Sequence, residues 1–213
     1  MGNVVNLSKG GVVNLSKHAP GLTNVMVGLG WDPVDKNESK KGFFASLFNK
    51  QPVSRGEDID CDAYAIVLTG GRLNNNSGVV YFGNKSYLKD VIKHMGDNLT
   101  GHDVEGQADD ENILISLDRL PKDVDGVVLG VNIYSALSRG QTFGSIKNAY
   151  IRLVDQKTNA EICKYMLSDS GEYKDATNVI MGVLRFKDNS WEFLADGTGS
   201  VVKSIGDVAS NYT

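Results

Sequence analysis

Apolar residues in this chain come in short runs or in alternation with polar ones, and Gly, Asn, Asp and Pro punctuate the runs. Side chains of an extended segment alternate between two faces, so this rhythm predicts strands joined by tight turns rather than long helices. The motif Val-Val-Asn-Leu-Ser-Lys occurs at Val4–Lys9 and again at Val12–Lys17, around Gly10-Gly11. It predicts a hairpin or two strands joined by a bend. Two copies are too few for a solenoid period. Ala19-Pro20-Gly21 closes this pair, and further strands are predicted over 24–29, 63–68, 79–82, 113–117, 127–133, 150–154, 161–167, 179–186 and 191–194. Asp188-Asn189 makes the tight turn between the last two. Ala136–Ile146 fits a short helix or an irregular crossover, limited by Gly140 and Gly144. The fold class expected is all-β, a β-sandwich of two mainly antiparallel sheets with short helical segments in the connections.

One stretch breaks the rhythm. Across 35–54, Lys36, Lys40, Lys41 and Lys50 surround Gly42-Phe43-Phe44-Ala45-Ser46-Leu47-Phe48. Positions 43, 44, 47 and 48 share one helical face, so a short amphipathic turn is expected in an inserted loop. Two uses of it remain open. The rings of Phe43, Phe44 and Phe48 fold back on the sandwich, or they form a contact for a partner or a membrane surface, helped by the lysines.

At 213 residues the chain fits one domain over 1–213, and 24 Gly against 4 Pro suits many turns between strands. A net charge of -4 without a basic stripe gives no support to nucleic-acid binding. Cys61 and Cys163 are too few for a disulfide framework or a Cys-rich zinc site. No apolar run is long enough for a signal peptide or a transmembrane segment, so a cytoplasmic location is expected.

The candidate chemistry lies in acids. Gly96–Glu111 reads GDNLTG, HDVEGQA, DDE and runs into the apolar segment beginning at Asn112, while Asp58, Asp60 and Asp62 alternate just upstream of a strand. Residues two apart in an extended segment share a face, so these three carboxylates align, with Ile59, Cys61 and Ala63 facing the other way. Spaced by roughly 6 to 7 Å, they repel one another by on the order of 1 to 2 kcal/mol per pair. A hard divalent cation, calcium above all, reverses that cost, because it takes about six to eight oxygens in a flexible geometry. An EF-hand is excluded, since a loop from Asp58 would need Gly and Glu where the chain has Ala63 and Thr69. Two separated loops must build the site.

Those segments resemble the TerD family of tellurite-resistance and general stress proteins. The resemblance rests on Val5–Gly11, Leu15–Gly21, Val27–Asp32, Asp58–Ala63, Gly96–Gly101, Asp109–Glu111, Gly140–Gly144 and Asn148–Asp155, in that order along nearly the whole chain. It implies a calcium-binding β-sandwich with no established enzymatic activity. It also implies ligands at Asp58, Asp60 and Asp62 in one loop and Asp97, Asn98, Asp109, Asp110 and Glu111 in the other, for two Ca2+ ions. The chain departs from the family in its longer link His102–Ala108, with Gln107 where Asp is frequent, so one ion position could be rebuilt from Asp103 or Glu105. The function expected is a calcium-ordered binding or scaffold module in stress resistance, with an unidentified protein or small-ligand partner. The alternative is a metal-dependent hydrolase or nucleotide-processing enzyme using the same acids on Mg2+.

No catalytic constellation supports that alternative. There is no Gly-x-Ser-x-Gly elbow, and His18, His94 and His102 lack the spacing of a zinc-protease helix. His94 and His102 bracket the acidic loop, which keeps Zn2+ or Mn2+ in view, although oxygen donors dominate. Cys61, between Asp60 and Asp62, is expected to be an inert core thiol, which argues against direct reduction of tellurite or peroxide. No basic residue lies within either acidic loop, and Arg139 and Arg152 are assigned structural roles. Gly197–Ser204 lacks the Walker spacing and Gly28-Leu29-Gly30 lacks the third glycine of a dinucleotide fingerprint, so both are taken as turns.

Overall fold

The computed structural model describes residues 4–34, 59–97, 109–167 and 171–213. Among them the predicted alternation becomes two stacked sheets. The seven-stranded sheet holds β1 (Val5–Leu7), β3 (Asn24–Pro33), β6 (Ser86–Tyr87), β7 (Ile92–Asp97), β8 (Glu111–Ser116), β10 (Ile146–Asp155) and β11 (Ala160–Met166), in the order β1-β11-β10-β3-β8-β7-β6. The six-stranded sheet holds β2 (Val12–Asn14), β4 (Cys61–Thr69), β5 (Val79–Val80), β9 (Val124–Ile133), β12 (Asn178–Lys187) and β13 (Ser190–Ser200), in the order β2-β13-β12-β9-β4-β5. Pairing is antiparallel except between β1 and β11. The protein is therefore an all-β sandwich of two mainly antiparallel sheets with short helices in its connections.

The core follows from the period of two. Val25, Val27 and Leu29 of β3, Ile113 and Ile115 of β8, and Ile151 and Leu153 of β10 face inward from one sheet. Ala63, Ala65 and Val67 of β4, Leu129 and Val131 of β9, and Phe193 and Ala195 of β13 meet them from the other. Each fully buried Val, Leu, Ile or Phe contributes about 1.5 to 3 kcal/mol relative to exposure.

The opening repeat resolves into two strands joined by a bend, and they join different sheets: β1 runs beside β11 and β2 beside β13. Gly10 makes the bend with a φ of +80°. The second copy is strand only to Asn14. There the side chain of Asn14 accepts the Lys17 N–H at 2.9 Å and starts a helical turn, α1 (Leu15–His18), which sends Leu15 into the core. At the far end, Asp188 and Asn189 both take positive φ, as the predicted tight turn requires.

Three features differ from expectation. Gly28-Leu29-Gly30 is not a turn but the middle of β3, for a packing reason given below. Gly197–Ser204 is not one turn either. Strand β13 continues to Ser200, and Ser204 caps α3 (Ile205–Ser210), the helix that follows α2 (Ala136–Arg139), in a reciprocal capping box with Asp207. Helix α3 seats Ile205, Val208 and Ala209 on Tyr64, Ile66 and Val128, so the outer face of the six-stranded sheet is also covered. Strands β6 and β7 lie where no strand was expected. The 35–54 insertion, with Phe43, Phe44 and Phe48, lies outside the described residues. No helix among the described residues is long and apolar enough to cross a membrane.

Ile151 is fully buried at the centre of the seven-stranded sheet, whereas Val12 is exposed on an edge strand. In urea denaturation Ile151→Ala is expected to remove about 3 to 4 kcal/mol, and Val12→Ala less than about 0.5 kcal/mol.

Candidate metal centre

The two acidic segments arrive at the same end of the sandwich, one leading into β4 and the other into β8. The Ala63 N–H of β4 donates to Glu111 Oε2 of β8, so a hydrogen bond spans the two sheets at this point. The Cys61 thiol registers the convergence. It is buried and held well above its usual range, first by loss of water and then by Asp62, Asp60, Asp110 and Glu111. It is the inert thiol that its sequence context predicts.

Glu111 faces inward with Ile113 and Ile115 and is almost fully buried. Beside it His94 of β7 accepts the Gly96 N–H on Nδ1 at 2.9 Å, which leaves the proton of the neutral ring on Nε2. Nε2 lies 3.2 Å from the Ala63 carbonyl oxygen and 3.4 Å from Glu111 Oε2. Both ring nitrogens are thus engaged. His94 orients Glu111 and does not present a lone pair to a soft metal.

Asp109 turns to the outer face of the seven-stranded sheet. Arg152 grips it bidentately, Nε to Oδ1 and Nη2 to Oδ2, each at 2.8 Å, and the Tyr150 hydroxyl donates to Oδ1 at 2.8 Å. Arg152 also donates from Nη1 to Glu161 Oε2 at 3.0 Å. The structural role assigned to Arg152 is visible in these contacts. Burial, followed by the charge of Asp109, pushes the Tyr150 hydroxyl well above its ordinary pKa. The cluster explains the two glycines of β3. Register pairs Tyr150 with Gly30 and Arg152 with Gly28. A Cβ on Gly28 would stand 2.2 Å from Asp109 Oδ2, and one on Gly30 would stand 2.4 Å from Tyr150 Cε1. Small residues opposite large ones were readable in principle, but only once the partner strand was known.

Asp110 stays at the rim. Its N–H donates to the Leu29 carbonyl at 2.8 Å, and its Oδ2 accepts the Trp31 N–H at 2.7 Å. Partial loss of water raises its carboxyl pKa first. Trp31 opposes that rise, and Asp32, Asp109 and Glu111 add to it. Neighbouring Asp32 accepts Asn148 Nδ2 at 2.8 Å. Asp60 is exposed, and its carbonyl accepts the Tyr134 N–H at 2.7 Å. Asp62 is buried on the other face of β4 from Ala63, in register with Asn132, and lines a cavity outside the six-stranded sheet.

Of the eight predicted ligands, then, Asp60, Asp110 and Glu111 lie on the segments that converge near Cys61, with Asp110 at the rim and Glu111 turned inward, while Asp62 and Asp109 go to opposite outer faces. The backbone of Asp97 ends β7 in register with Glu111. Asp58 and Asn98 lie outside the described residues, as do His102, Asp103, Glu105 and Gln107. Among the described residues no three His, Cys, Asp or Glu are grouped to hold a metal by themselves.

The Asp109 clamp carries its own test. Removing one member of a largely buried pair strands the other. In urea denaturation Arg152→Ala and Gly28→Ala are each expected to cost about 2 to 4 kcal/mol. The double variant Arg152→Ala/Asp109→Asn should cost less than the sum of its two singles.

Comparison with known proteins places these features in context. The family model of the TerD domain matches residues 3–212. The chain is 40% identical over 208 residues to a Bacillus subtilis (strain 168) protein named stress response protein SCP2, covering 98% of each chain. It is 36% identical over 209 residues to tellurium resistance protein TerD of Serratia marcescens, covering 98% of this chain and 96% of that one. Among solved structures, a homologue of telluride resistance protein from Streptomyces coelicolor A3(2) superposes with a TM-score of 0.60 at 20% identity. That match covers 91% of this chain and 99% of the other, and is a likeness of fold.

Proposed function

The chain belongs to the TerD family, and on that premise we propose that it acts in resistance to tellurite or chemical stress as a calcium-ordered binding module. The observation that carries this reading is the convergence of the two acidic segments at one end of the sandwich, where the Ala63 N–H donates to Glu111 and where Asp60, Asp110 and Glu111 all act on the Cys61 thiol. These donors are all oxygens, which suits a hard cation with flexible coordination. Asp58, Asp97 and Asn98 adjoin them in sequence and would complete the shell. Asp62 and Asp109 belong to the expected ligand set for two ions, but as placed Asp109 is held by Arg152 and Tyr150 and Asp62 lines a groove outside the six-stranded sheet. When bound, the ion would neutralise carboxylates that otherwise repel and would hold the ends of β4 and β8 together. Cys61 and Cys163 are free buried thiols, in keeping with a reducing, cytoplasmic setting.

A binding role is favoured over hydrolysis by the state of Arg152. Phosphoryl chemistry on a metal needs a cationic group to hold the substrate beside the acids. Arg152, the basic side chain in contact with them, directs its donors to Asp109 and Glu161. The relatives are named for resistance and stress.

Calorimetric melting in chelator, in Mg2+ and in Ca2+ tests the proposal. With a dissociation constant of about 10 μM, 1 mM Ca2+ should add about 2.7 kcal/mol per site, and Mg2+ much less. Asp60→Ala and Asp110→Asn should lose most of that gain, while Asp188→Ala keeps it. In chelator Asp110→Asn should melt no lower than the parent, because it removes one of several repelling charges. A melting curve indifferent to calcium would refute the reading.

A further inference from the structure

A groove of about 830 Å3 lies on the outer face of the six-stranded sheet, floored by the start of β4 and the end of β9 and walled by α3 and the segment around Tyr81–Asn84. We propose that this groove binds a small organic ammonium ion, its head seated between Phe82 and Tyr134 against the Asp62 carboxylate.

Topology sets up the three groups. Strand β5 pairs Val80 with Ala65, so the chain leaving it carries Tyr81 and Phe82 toward the Asp62 end of β4. On the other side β9 pairs Asn132 with Asp62 and runs on into Tyr134. Asp62 is therefore flanked from both neighbouring strands. The rings of Phe82 and Tyr134 meet at 6.1 Å between centroids with an interplanar angle of 84°, and Tyr81 meets Phe82 at 5.1 Å and 83°. Successive rings at right angles make the walls of a corner.

Exposure shows that the corner faces outward. Phe82 is 43% exposed and Tyr134 45%, whereas Asp62, which lines the same groove, is 8% exposed. Phe82 has no polar atom to hydrate, so two aromatic rings held at the lip of a groove need an occupant to cover them. The chemistry of that occupant follows from charge. Aromatic faces attract weakly hydrated cations, and alkylated ammonium groups are the ligands that such walls recognise. Tyr134 already draws a cation, since Arg139 Cζ lies 5.6 Å from its ring centroid. The buried charge of the groove is the Asp62 carboxylate. Lys203, which also lines it, is exposed. An anionic ligand would meet Asp62 at the floor. A bare metal ion would gain little from two hydrocarbon walls. This site is distinct from the proposed calcium centre, because Asp62 and Ala63 lie on opposite faces of β4 and the Glu111 contact is on the Ala63 side.

Choline and its uncharged carbon isostere 3,3-dimethyl-1-butanol, titrated calorimetrically into the full chain in both chelator and Ca2+, test the assignment. Choline is expected to bind saturably, and the isostere at least tenfold more weakly. Phe82→Ala, Tyr134→Ala and Asp62→Asn should each weaken choline tenfold or more. Phe82 is exposed, so its variant keeps the fold if Asp62→Asn does not. Absence of choline binding at millimolar concentration, equal binding of the isostere, or a Phe82→Ala variant with unchanged affinity overturns the proposal. Because binding is read without calcium as well, failure of the calcium response leaves this measurement decisive by itself.

Discussion

Strand β4 is buried on both faces from Cys61 to Leu68, and that constraint organises the molecule. A strand in an ordinary sandwich shows one face to the core and one to water. Here Ala63, Ala65 and Val67 feed the core between the sheets, and Tyr64, Ile66 and Leu68 feed a second apolar layer beneath α3. Alternation along so enclosed a strand leaves its polar neighbours no freedom of direction. Asp62 must enter the outer cavity, and Ala63 must turn its amide toward Glu111. A slip of one residue would exchange these destinations and turn Asp62 toward the sandwich core without the donors that hold Glu111 there.

The three consecutive acids at the start of β8 divide in the same way. Asp109 goes outward to Arg152 and Tyr150, Asp110 lies along the rim on Trp31, and Glu111 goes inward to Ala63 and His94. One short run of like charge is thus tied to three separate supports. Each support is a hydrogen-bond donor, so the entry to β8 is fixed on both sides of the sheet. Such a frame leaves the adjoining loop as the part that an ion would have to organise.

Much of the fold was legible because period-two patterning survives in β8 and much of β10, because β9 and β12 are apolar runs, and because Asp188-Asn189 is strong turn chemistry. What escaped did so for identifiable reasons. Ile92-Lys93-His94-Met95-Gly96-Asp97 carries one strong apolar residue, a buried histidine and a glycine, so β7 is held by its neighbours more than by its own pattern. Gly28 and Gly30 look like a turn because glycine in a strand interior is costly, and their value appears only beside Tyr150 and Arg152. At the site, the alternation of Asp58, Asp60 and Asp62 was readable, but the faces they meet were not, since nothing local says that β4 is covered on both sides. The aromatic corner of Phe82 and Tyr134 joins residues far apart in the chain and gives no local signal at all.

The arrangement of the first two strands bears on how the chain is assembled. Val5–Leu7 completes an edge of one sheet beside Cys163–Tyr165, and Val12–Asn14 completes an edge of the other beside Glu192–Leu194. Both strands must therefore wait for partners that lie far downstream in the chain. Non-local closure of this kind is slow. Until they close, the repeated Val-Val-Asn-Leu segments are unpaired β-prone edges of the kind that makes folding intermediates prone to aggregate.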